Sequence, residues 1–193
     1  MRIFLLTLFF SFNCLGALNV PLQKELQSMA RADQTVRNEI TRIGWKNAPF
    51  ELLEKMRSVD SKNTARLKAI VKKHSWVTEK SVGKDGVNAA FLIVQHSPDY
   101  AFQEEMLPLI KRSYLNGEGI SGQELALLTD RVLVHQDKQQ MYGTQLNIEN
   151  GELVFDPIYD IDNVDSRRAE VGLPSLEEYK KVVSKAYGMP VKL

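Results

Sequence analysis

The segment from Gly83 to Gln103 constrains the fold of this chain more than any other, because it joins a strongly apolar run to a polar cluster. From Val87 to Val94 every residue except Asn88 is apolar. A helix that is apolar on every side is normally buried on every side. We therefore predict a central core helix here, around which the rest of the chain packs.

The apolar run ends at two polar residues, Gln95 and His96. Ser97 to Asp99 then provide an N-cap, a proline for the first helical position and an acid for the first turn of another helix, predicted over Pro98 to about Tyr114. Gln95 and His96 are therefore predicted to lie at a buried corner between two helices. Two interpretations of His96 remain open: a structural histidine bonded to a backbone carbonyl, or a catalytic histidine.

The amino terminus has the pattern of a secretory signal peptide. A short basic start precedes an apolar run from Ile3 to Phe12 and a group of small residues suited to cleavage. The run is too short for a transmembrane helix, which needs about 20 apolar residues. We predict a signal peptide over residues 1–17, a periplasmic or secreted protein, and a single globular domain over residues 18–193. A lipid anchor at Cys14 is the alternative.

Cys14 is the only cysteine in the sequence, so the exported protein would have no disulfide, no thiolate nucleophile and no cysteine metal ligand. Without Arg2, the 25 basic residues become 24 and equal the 24 acidic ones. A neutral chain is not expected to bind nucleic acid or an anionic membrane. The three histidines, His74, His96 and His135, lack metal-ligand spacing, so no metal site and no cofactor are predicted.

The first helix of the domain is predicted from Pro21 to Gly44, with apolar residues at a four-three spacing. Asp33 occupies one position of this apolar stripe. A buried carboxylate is costly unless it is paired, and Arg37 follows one helical turn later. Two interpretations remain open: a structural ion pair that fixes the helix register, or a pair that lines a pocket.

Two more helices are predicted before the core helix. One is short, from Pro49 to Ser58, and the other begins at an Asp60 N-cap and ends at His74. Asn63 lies on the apolar stripe of the second, so we expect an inward-facing amide that needs partners. A loop from Trp76 to Gly86 then leads to the core helix.

The segment from Ser121 to Glu124 matches a capping box, and the helix that follows, from Leu125 to Val134, is apolar except for Asp130 and Arg131. Adjacent helical residues point about 100° apart, so these two side chains need partners from other segments. We predict that the partners are the polar residues of the earlier helices, so that five charged side chains form one cluster: Asp33, Arg37, His96, Asp130 and Arg131.

From Gln139 the pattern alternates, with Tyr142 and Thr144 on one face and Gln145 on the other, as in a strand. The dipeptide Asn150-Gly151 is a strong signal for a two-residue hairpin turn, which would pair Ile148 with Leu153 and Leu146 with Phe155. Two helices follow, the second opened by a capping box at Ser175 to Glu178. The sequence thus predicts a mainly α fold (α+β): a helical bundle with one β-hairpin near residues 140–158.

Three segments resemble a widespread bacterial family catalogued as a domain of unknown function. They are AAFLIVQHSPDYAFQEEMLPLI, LTDRVLVHQDKQQMYGTQ and VDSRRAEVGLPSLEEY, with Asp33-Gln34-x-x-Arg37 upstream. The family brings no established activity, and the resemblance implies only a list of polar positions. One departure is His74-Ser-Trp76-Val, where the family tends toward Gly-Trp-Pro, so we expect a differently shaped loop there.

Familiar catalytic motifs such as G-x-S-x-G, H-E-x-x-H and the phosphate-binding loop are absent from the sequence. Three functions therefore remain open. The first is a hydrolase-like enzyme in which His96 is the general acid or base, Asp130 orients it, and Arg37 or Arg131 binds a carboxylate or an oxyanion. The second is a non-catalytic module that binds a small polar ligand such as a sugar or peptide, and the third is a network that only specifies the fold.

The predicted site residues follow from the polar positions above. The catalytic candidates are His96, Asp130 and Arg131. The binding candidates are Asp33, Arg37, Gln95, Gln103, Gln139, Tyr142, Thr144, Gln145 and Arg168.

Overall fold

A computed structural model describes residues 18–193 of the protein, and the predicted signal peptide with Cys14 lies outside them. The fold is mainly α with a small β part, as predicted. The helices are α1 (Val20–Ile43), α2 (Phe50–His74), α3 (Glu79–Gln95), α4 (Tyr100–Leu115), α5 (Gly122–His135), α6 (Val164–Glu170) and α7 (Leu176–Tyr187). The strands are β1 (Leu146–Glu149), β2 (Glu152–Phe155) and β3 (Val191–Lys192).

The second helix, α2, is continuous, whereas the sequence pattern predicts two helices in its place. No glycine or proline lies between Phe50 and His74, so nothing interrupts the backbone hydrogen bonds. Asp60 is not an N-cap: it lies inside α2 and is 9% exposed. The inward amide predicted at Asn63 is confirmed, because its Nδ2 donates to the carbonyl of Met29 on α1 at 3.1 Å.

The central helix, α3, contacts α1, α2, α4 and α5, which confirms its predicted place in the core. It begins earlier than predicted, because Thr78 and Ser81 form a capping box, and it is kinked at Gly83, where φ is +68°. Its burial is not uniform. Asn88 is exposed and Leu92 is half-buried, so one stripe of α3 remains open to solvent.

The corner after α3 lies where the sequence predicts it. Gln95 is buried, His96 caps the helix, and Ser97 Oγ accepts a hydrogen bond from the Asp99 backbone N–H at 3.1 Å. The next helix begins two residues later than predicted, because Asp99 is the N-cap and accepts from the Phe102 N–H at 3.0 Å. The chain therefore turns sharply between α3 and α4.

The hairpin has the predicted register, with Ile148 opposite Leu153 and Leu146 opposite Phe155. Its first strand is shorter than predicted. Residues 139–145 form a loop, because Gly143 has a φ of +66° and the N–H groups of this segment bond to side chains. The third strand, β3, pairs in parallel with β2 and has no strong signal in the sequence.

Three apolar clusters within residues 18–193 hold these elements together. The largest lies among the first five helices and includes Leu26, Val87, Val94 and Leu128. A second packs the end of α1 against the start of α2. The third packs the hairpin against α6 and α7 through Phe155, Val164 and Leu176. Within residues 18–193, no helix combines the length and the apolar character that a membrane span requires.

Candidate functional site

Arg37 joins the first two helices through two carboxylates. Its Nε lies 2.9 Å from Asp33 Oδ1, one turn back on α1. Its Nη2 lies 2.9 and 2.8 Å from the two oxygens of Asp60 on α2. Its Nη1 lies 3.3 Å from the sulfur of Met56. All three nitrogens of this guanidinium therefore have partners inside the protein.

His96 extends this chain of polar contacts through Asp33, which is 2% exposed. Its Nδ1 lies 3.0 Å from each carboxylate oxygen of Asp33. An ionised carboxylate can only accept hydrogen bonds, so Nδ1 carries a proton and donates it, which leaves Nε2 as the acceptor of the neutral ring. The His96 side chain is 23% exposed. Nothing in residues 18–193 is hydrogen-bonded to Nε2, so water or a ligand can approach it.

The pKa values of the two carboxyl groups that contact Arg37 are shifted in opposite directions. Burial by itself raises the pKa of Asp33, but the hydrogen bonds and charge of His96, together with Gln34 and Arg37, outweigh burial and lower that pKa. The pKa of Asp60 is raised, because burial and the neighbouring Asp33 outweigh the attraction of Arg37. Asp33 is therefore the ionised partner of His96 at neutral pH.

Arg131 lies beside the same corner, against Gln95. With the Gln95 amide oriented so that its oxygen faces the guanidinium, that oxygen accepts from Arg131 Nε at 3.0 Å and from Nη2 at 2.9 Å. Burial lowers the pKa of Arg131; the phenol of Tyr100 opposes this effect and the charge of Arg37 adds to it. Because Gln95 and His96 are neighbours in the chain, Arg131 stands next to the Asp33–His96 pair.

Gln103 supports the corner and is 1% exposed. Its Nε2 donates to the carbonyl oxygens of Val94, Gln95 and Ser97 at 3.0, 3.2 and 3.3 Å. Carbonyls at the end of a helix have no partner within the helix, so this amide satisfies groups that would otherwise be unpaired. The side chain therefore fixes the corner.

Asp130 belongs to a second polar network and is fully buried. Its oxygens accept hydrogen bonds from the backbone N–H groups of Met141 at 2.7 Å, Tyr142 at 3.0 Å and Thr144 at 3.0 Å. The Thr144 hydroxyl also donates to it, at 3.0 Å. Burial raises the pKa of Asp130 despite these hydrogen bonds. Asp130 therefore anchors the loop that precedes the hairpin.

The prediction that Asp130 orients His96 is wrong. Asp33 occupies that position, and every hydrogen bond that Asp130 accepts comes from the loop. The physical reason is that a loop with several inward N–H groups needs a buried acceptor, and Asp130 supplies it.

Gln140 is the amide that organises this loop, whereas the sequence-based choice was its exposed neighbour Gln139. The oxygen of Gln140 accepts from the N–H groups of Thr144 at 2.8 Å and Gln145 at 2.9 Å. Its Nε2 donates to the carbonyls of Gln145 and Asp156. One fully buried side chain thus replaces four backbone partners that a strand would have provided.

Arg168 on α6 completes the second network and is 1% exposed. Its guanidinium donates to the carbonyls of Tyr142, Gly143 and Pro174. Four residues predicted as ligand contacts take part in the hydrogen bonds of this network: Tyr142, Thr144, Gln145 and Arg168.

The five charged residues predicted to form one cluster thus divide between two networks. Asp33, Arg37 and His96 are bonded directly, and Arg131 stands beside them through Gln95. Asp130 belongs to the loop network. We refer to the first group, Asp33, Arg37, Gln95, His96 and Arg131, as the corner site.

An open groove with a volume of about 830 Å³ runs along α3 toward the corner site. Its floor is the open stripe of α3, with Asn88 and Leu92, and its walls are α1 and the first half of α5. The groove lining ends at Gln34 on α1, at Leu92 on α3 and at Leu127 on α5.

The corner site begins one helical turn beyond the end of this groove. Arg37 follows Gln34 by three residues, while His96 and Arg131 follow Leu92 and Leu127 by four. Residues three or four apart lie on one face of a helix. Gln34 links the two features directly, because it lines the groove and its Nε2 donates to Asp33 Oδ2 at 2.8 Å. The corner site therefore forms the head of the groove.

Sequence reasoning missed three residues of these networks: Gln34, Asp60 and Gln140. The signal for Asp60 was present, because it precedes Asn63, Leu67 and Ile70 on one helical stripe. Among the described residues, no group of three or more His, Cys, Asp or Glu side chains is arranged to hold a metal ion.

The chain belongs to a family of unknown function (DUF6624), whose model matches residues 20–192. This match confirms the expected membership of a family catalogued as a domain of unknown function. No curated protein and no solved structure matches the chain.

Proposed function

We propose that this member of the family is a hydrolase-like enzyme in which His96, oriented by Asp33, is the general base. One observation carries the proposal. The Nδ1 of His96 is held by a buried carboxylate, while its Nε2 has no hydrogen-bond partner within residues 18–193, in a side chain that is 23% exposed one helical turn beyond the groove.

In the proposed reaction, His96 Nε2 removes a proton from a water molecule, and the hydroxide adds to an electrophilic carbon or phosphorus of the substrate. The imidazolium then gives that proton to the leaving group as its bond breaks, so the ring ends neutral. Asp33 keeps the ring oriented and stabilises the imidazolium. Water is the proposed nucleophile because no hydroxyl or thiol among residues 18–193 is hydrogen-bonded to His96.

The groove along α3 is the proposed binding site for a polar substrate. Amides line it at Gln27, Gln34 and Asn88, and an apolar surface that includes Leu92 and Leu127 lies between them. The exposed surface of the groove is mainly apolar, so the lining suits an extended ligand whose apolar parts pack between the amides and whose polar groups pair with them.

The same groove favours one alternative, a binding module without catalysis. A groove of this size can hold a peptide or a sugar with no chemistry at its head. The two functions differ in one measurable respect, because the module would bind its ligand equally well, and leave it intact, with or without the His96 imidazole.

The test is a comparison of hydrolysis by the wild type and His96→Gln on chromogenic nitrophenyl compounds: a carboxylic ester, a phosphate ester, a glycoside and an anilide. We expect at least one class to be hydrolysed, with a kcat/KM that falls about 100-fold or more in His96→Gln. Asp33→Asn should lower it as well. The matched control is His74→Gln, because His74 is exposed at the end of α2.

Equal turnover by the wild type and His96→Gln would refute the proposed role of His96. Failure to hydrolyse any class, combined with saturable binding of a peptide or a sugar, would support the module instead. Asn88→Trp should then abolish binding, since a large side chain at this exposed position fills the groove.

We also propose that the protein is exported to the periplasm or the medium, on the basis of the basic start and short apolar run in residues 1–17. Amino-terminal sequencing of the exported protein should find a chain that starts near Leu18. An uncleaved or lipid-modified chain would contradict this.

A further inference from the structure

The corner site contains two guanidiniums whose surroundings differ. Arg37 is bonded to two carboxylates, those of Asp33 and Asp60, so its positive charge is balanced inside the protein. The Nε and Nη2 of Arg131 contact only the neutral amide oxygen of Gln95. Across residues 18–193, no carboxylate pairs with Arg131 and nothing is hydrogen-bonded to its Nη1.

A half-buried guanidinium without a counter-ion is unfavourable, because it has lost part of its hydration and gained no opposite charge. Among residues 18–193, the ionisable groups that interact with Arg131 are the phenol of Tyr100, the guanidinium of Arg37 and the imidazole of His135. None of them is a carboxylate, and the positive charge of Arg37 repels that of Arg131. An anion on the free edge of Arg131 would supply the opposite charge through charge-assisted hydrogen bonds.

We infer that Arg131 binds an anionic group of the substrate, a carboxylate or a phosphate. This inference rests on the proposed function, because it names the class of substrate that the corner site takes: a molecule with an acidic group close to the bond that is broken. Arg37 cannot take this role, since its nitrogens are already bonded to Asp33, Asp60 and Met56.

The position of Arg131 at the head of the groove agrees with this role. Arg131 lies one turn beyond Leu127, and His96 lies one turn beyond Leu92, so the leading end of a ligand in the groove reaches both side chains. The acidic side chains of the groove, Asp85 and Glu124, lie two or three turns further back along α3 and α5. They therefore repel an anion at the far end of the groove and not at its head, where Arg131 lies.

The negative charge of Asp33 does not oppose the inference, because Arg37 balances it through a contact of 2.9 Å. Asp60 also contacts Arg37, so the carboxylates of Asp33 and Asp60 and the guanidiniums of Arg37 and Arg131 together carry no net charge. An acidic group on Arg131 would therefore meet the guanidinium of this group that no carboxylate of residues 18–193 contacts. A neighbouring bond of the same ligand would then lie within reach of His96 Nε2.

The experiment measures binding of inorganic phosphate and, separately, of acetate to the full protein by NMR titration, with sodium chloride used to match ionic strength. We expect saturable shifts in the wild type and an affinity about tenfold or more weaker in Arg131→Gln. Arg131→Lys keeps the charge without the planar fork and should retain part of the affinity. Circular dichroism checks that each variant is folded.

Two control variants separate the anion site from other effects. Arg112→Gln removes an exposed arginine far from the site. Tyr100 on α4 interacts with Arg131, and Arg112 lies 12 residues further along the same helix, about 18 Å away at 1.5 Å per residue. This variant should bind the anion as the wild type does. His96→Gln should also bind it, because the anion is held by Arg131. The tighter of the two anions identifies the acidic group of the substrate.

Equal anion affinity in the wild type and Arg131→Gln would overturn the inference, as would binding lost in His96→Gln but kept in Arg131→Gln. No saturable binding of either anion to the wild type would overturn it too. These results leave the proposed function untouched if hydrolysis still depends on His96. Conversely, anion binding that depends on Arg131 without any hydrolysis supports the site and refutes the enzyme.

Discussion

Replacement of Asp130 by alanine should destabilise this protein strongly, because the loop before the hairpin depends on one buried carboxylate. The substitution removes the acceptor of three backbone N–H groups, those of Met141, Tyr142 and Thr144, and of the Thr144 hydroxyl. Asp130 is 0% exposed, so water does not replace these bonds while the loop keeps its position.

The magnitude follows from the number of groups left without a partner. The Thr144 N–H keeps the Gln140 oxygen as an acceptor at 2.8 Å, so three donors lose their acceptor. A buried donor without a partner costs about 1–3 kcal/mol, so the three together cost at most about 3–9 kcal/mol. Two effects reduce this value: the loop can move and admit water, and the burial cost of the carboxylate, visible in its raised pKa, disappears with it. We expect the free energy of unfolding to fall by about 3–5 kcal/mol and the midpoint temperature by about 6–20 °C.

The assay is urea denaturation followed by circular dichroism, with two control variants. Thr144→Val removes the hydroxyl, which donates to Asp130 and accepts from Gln145 Nε2, and should cost about 1 kcal/mol. Asp162→Ala removes a carboxylate from an exposed position and should change stability by less than about 0.5 kcal/mol.

A loss below about 1.5 kcal/mol for Asp130→Ala would refute the reasoning, since the loop would then not depend on the carboxylate. A second result would also refute it. If Asp130→Asn kept the stability of the wild type and lost hydrolysis completely, Asp130 would belong to the chemistry and not to the fold.

Three further predictions concern the ion pair, the pH and the hairpin turn. Arg37→Met leaves two buried carboxylates without a cation and should cost about 3–5 kcal/mol in urea denaturation; Asp60→Asn in the same chain should recover part of it. The folded pKa of Asp33 is lowered, so its stabilising effect is complete above its ordinary pKa of about 4 and is lost as the pH falls through the folded pKa. The stability difference between wild type and Asp33→Asn should therefore shrink as the pH is lowered below about 4. Gly151→Val should cost about 1–2 kcal/mol by thermal denaturation, because Asn150 and Gly151 both have positive φ.

Each of these has a result that contradicts it. Arg37→Met with wild-type stability would mean that the two carboxylates are not destabilised by its loss. A difference between wild type and Asp33→Asn that grows in acid would reverse the sign argued for Asp33. At Gly151 an added Cβ meets no atom within 4 Å, so Gly151→Ala should be destabilised by the positive φ alone. An alanine variant as stable as the wild type would show that positive φ carries no cost there.

The parts of the fold that the sequence predicts correctly depend on neighbouring residues. The capping boxes at Ser121 and Ser175 mark two helix starts, because the cap and its partner are three residues apart. The register of the hairpin follows from Asn150-Gly151, because positive φ at both residues of the turn permits one pairing. Such signals do not depend on the rest of the structure.

The parts that the sequence does not predict depend on distant partners. Asp60 resembles an N-cap until Arg37, 23 residues away, is seen to bind it. The loop at residues 139–145 has the alternation of a strand, and only the inward carboxylate of Asp130 explains why it is not one. Local pattern cannot distinguish these cases, since the same residue types serve both.

The candidate site was predicted only in part, for the same reason. Each of Asp33, Arg37, His96 and Arg131 interrupts or ends an apolar surface, and this shows that the side chain needs a partner. It does not show which partner. Asp33 and Asp130 are both buried carboxylates on apolar helices, and only the parallel course of α1 and α3 places Asp33 beside His96.

The two polar networks differ in how completely their hydrogen-bonding groups have partners within the protein. Asp130, Gln140 and Arg168 direct their polar groups to the backbone of one loop, and each is almost completely buried. A network of this kind can specify a fold without binding anything. His96 and Arg131 differ, because each has one edge held by a buried partner and another that has no hydrogen-bond partner within residues 18–193. Packing gains nothing from such open edges, since an apolar side chain would fill the corner without the cost of a partly desolvated cation. A role in folding therefore does not explain the free edges of His96 and Arg131. The proposed anionic substrate would give both of them a partner.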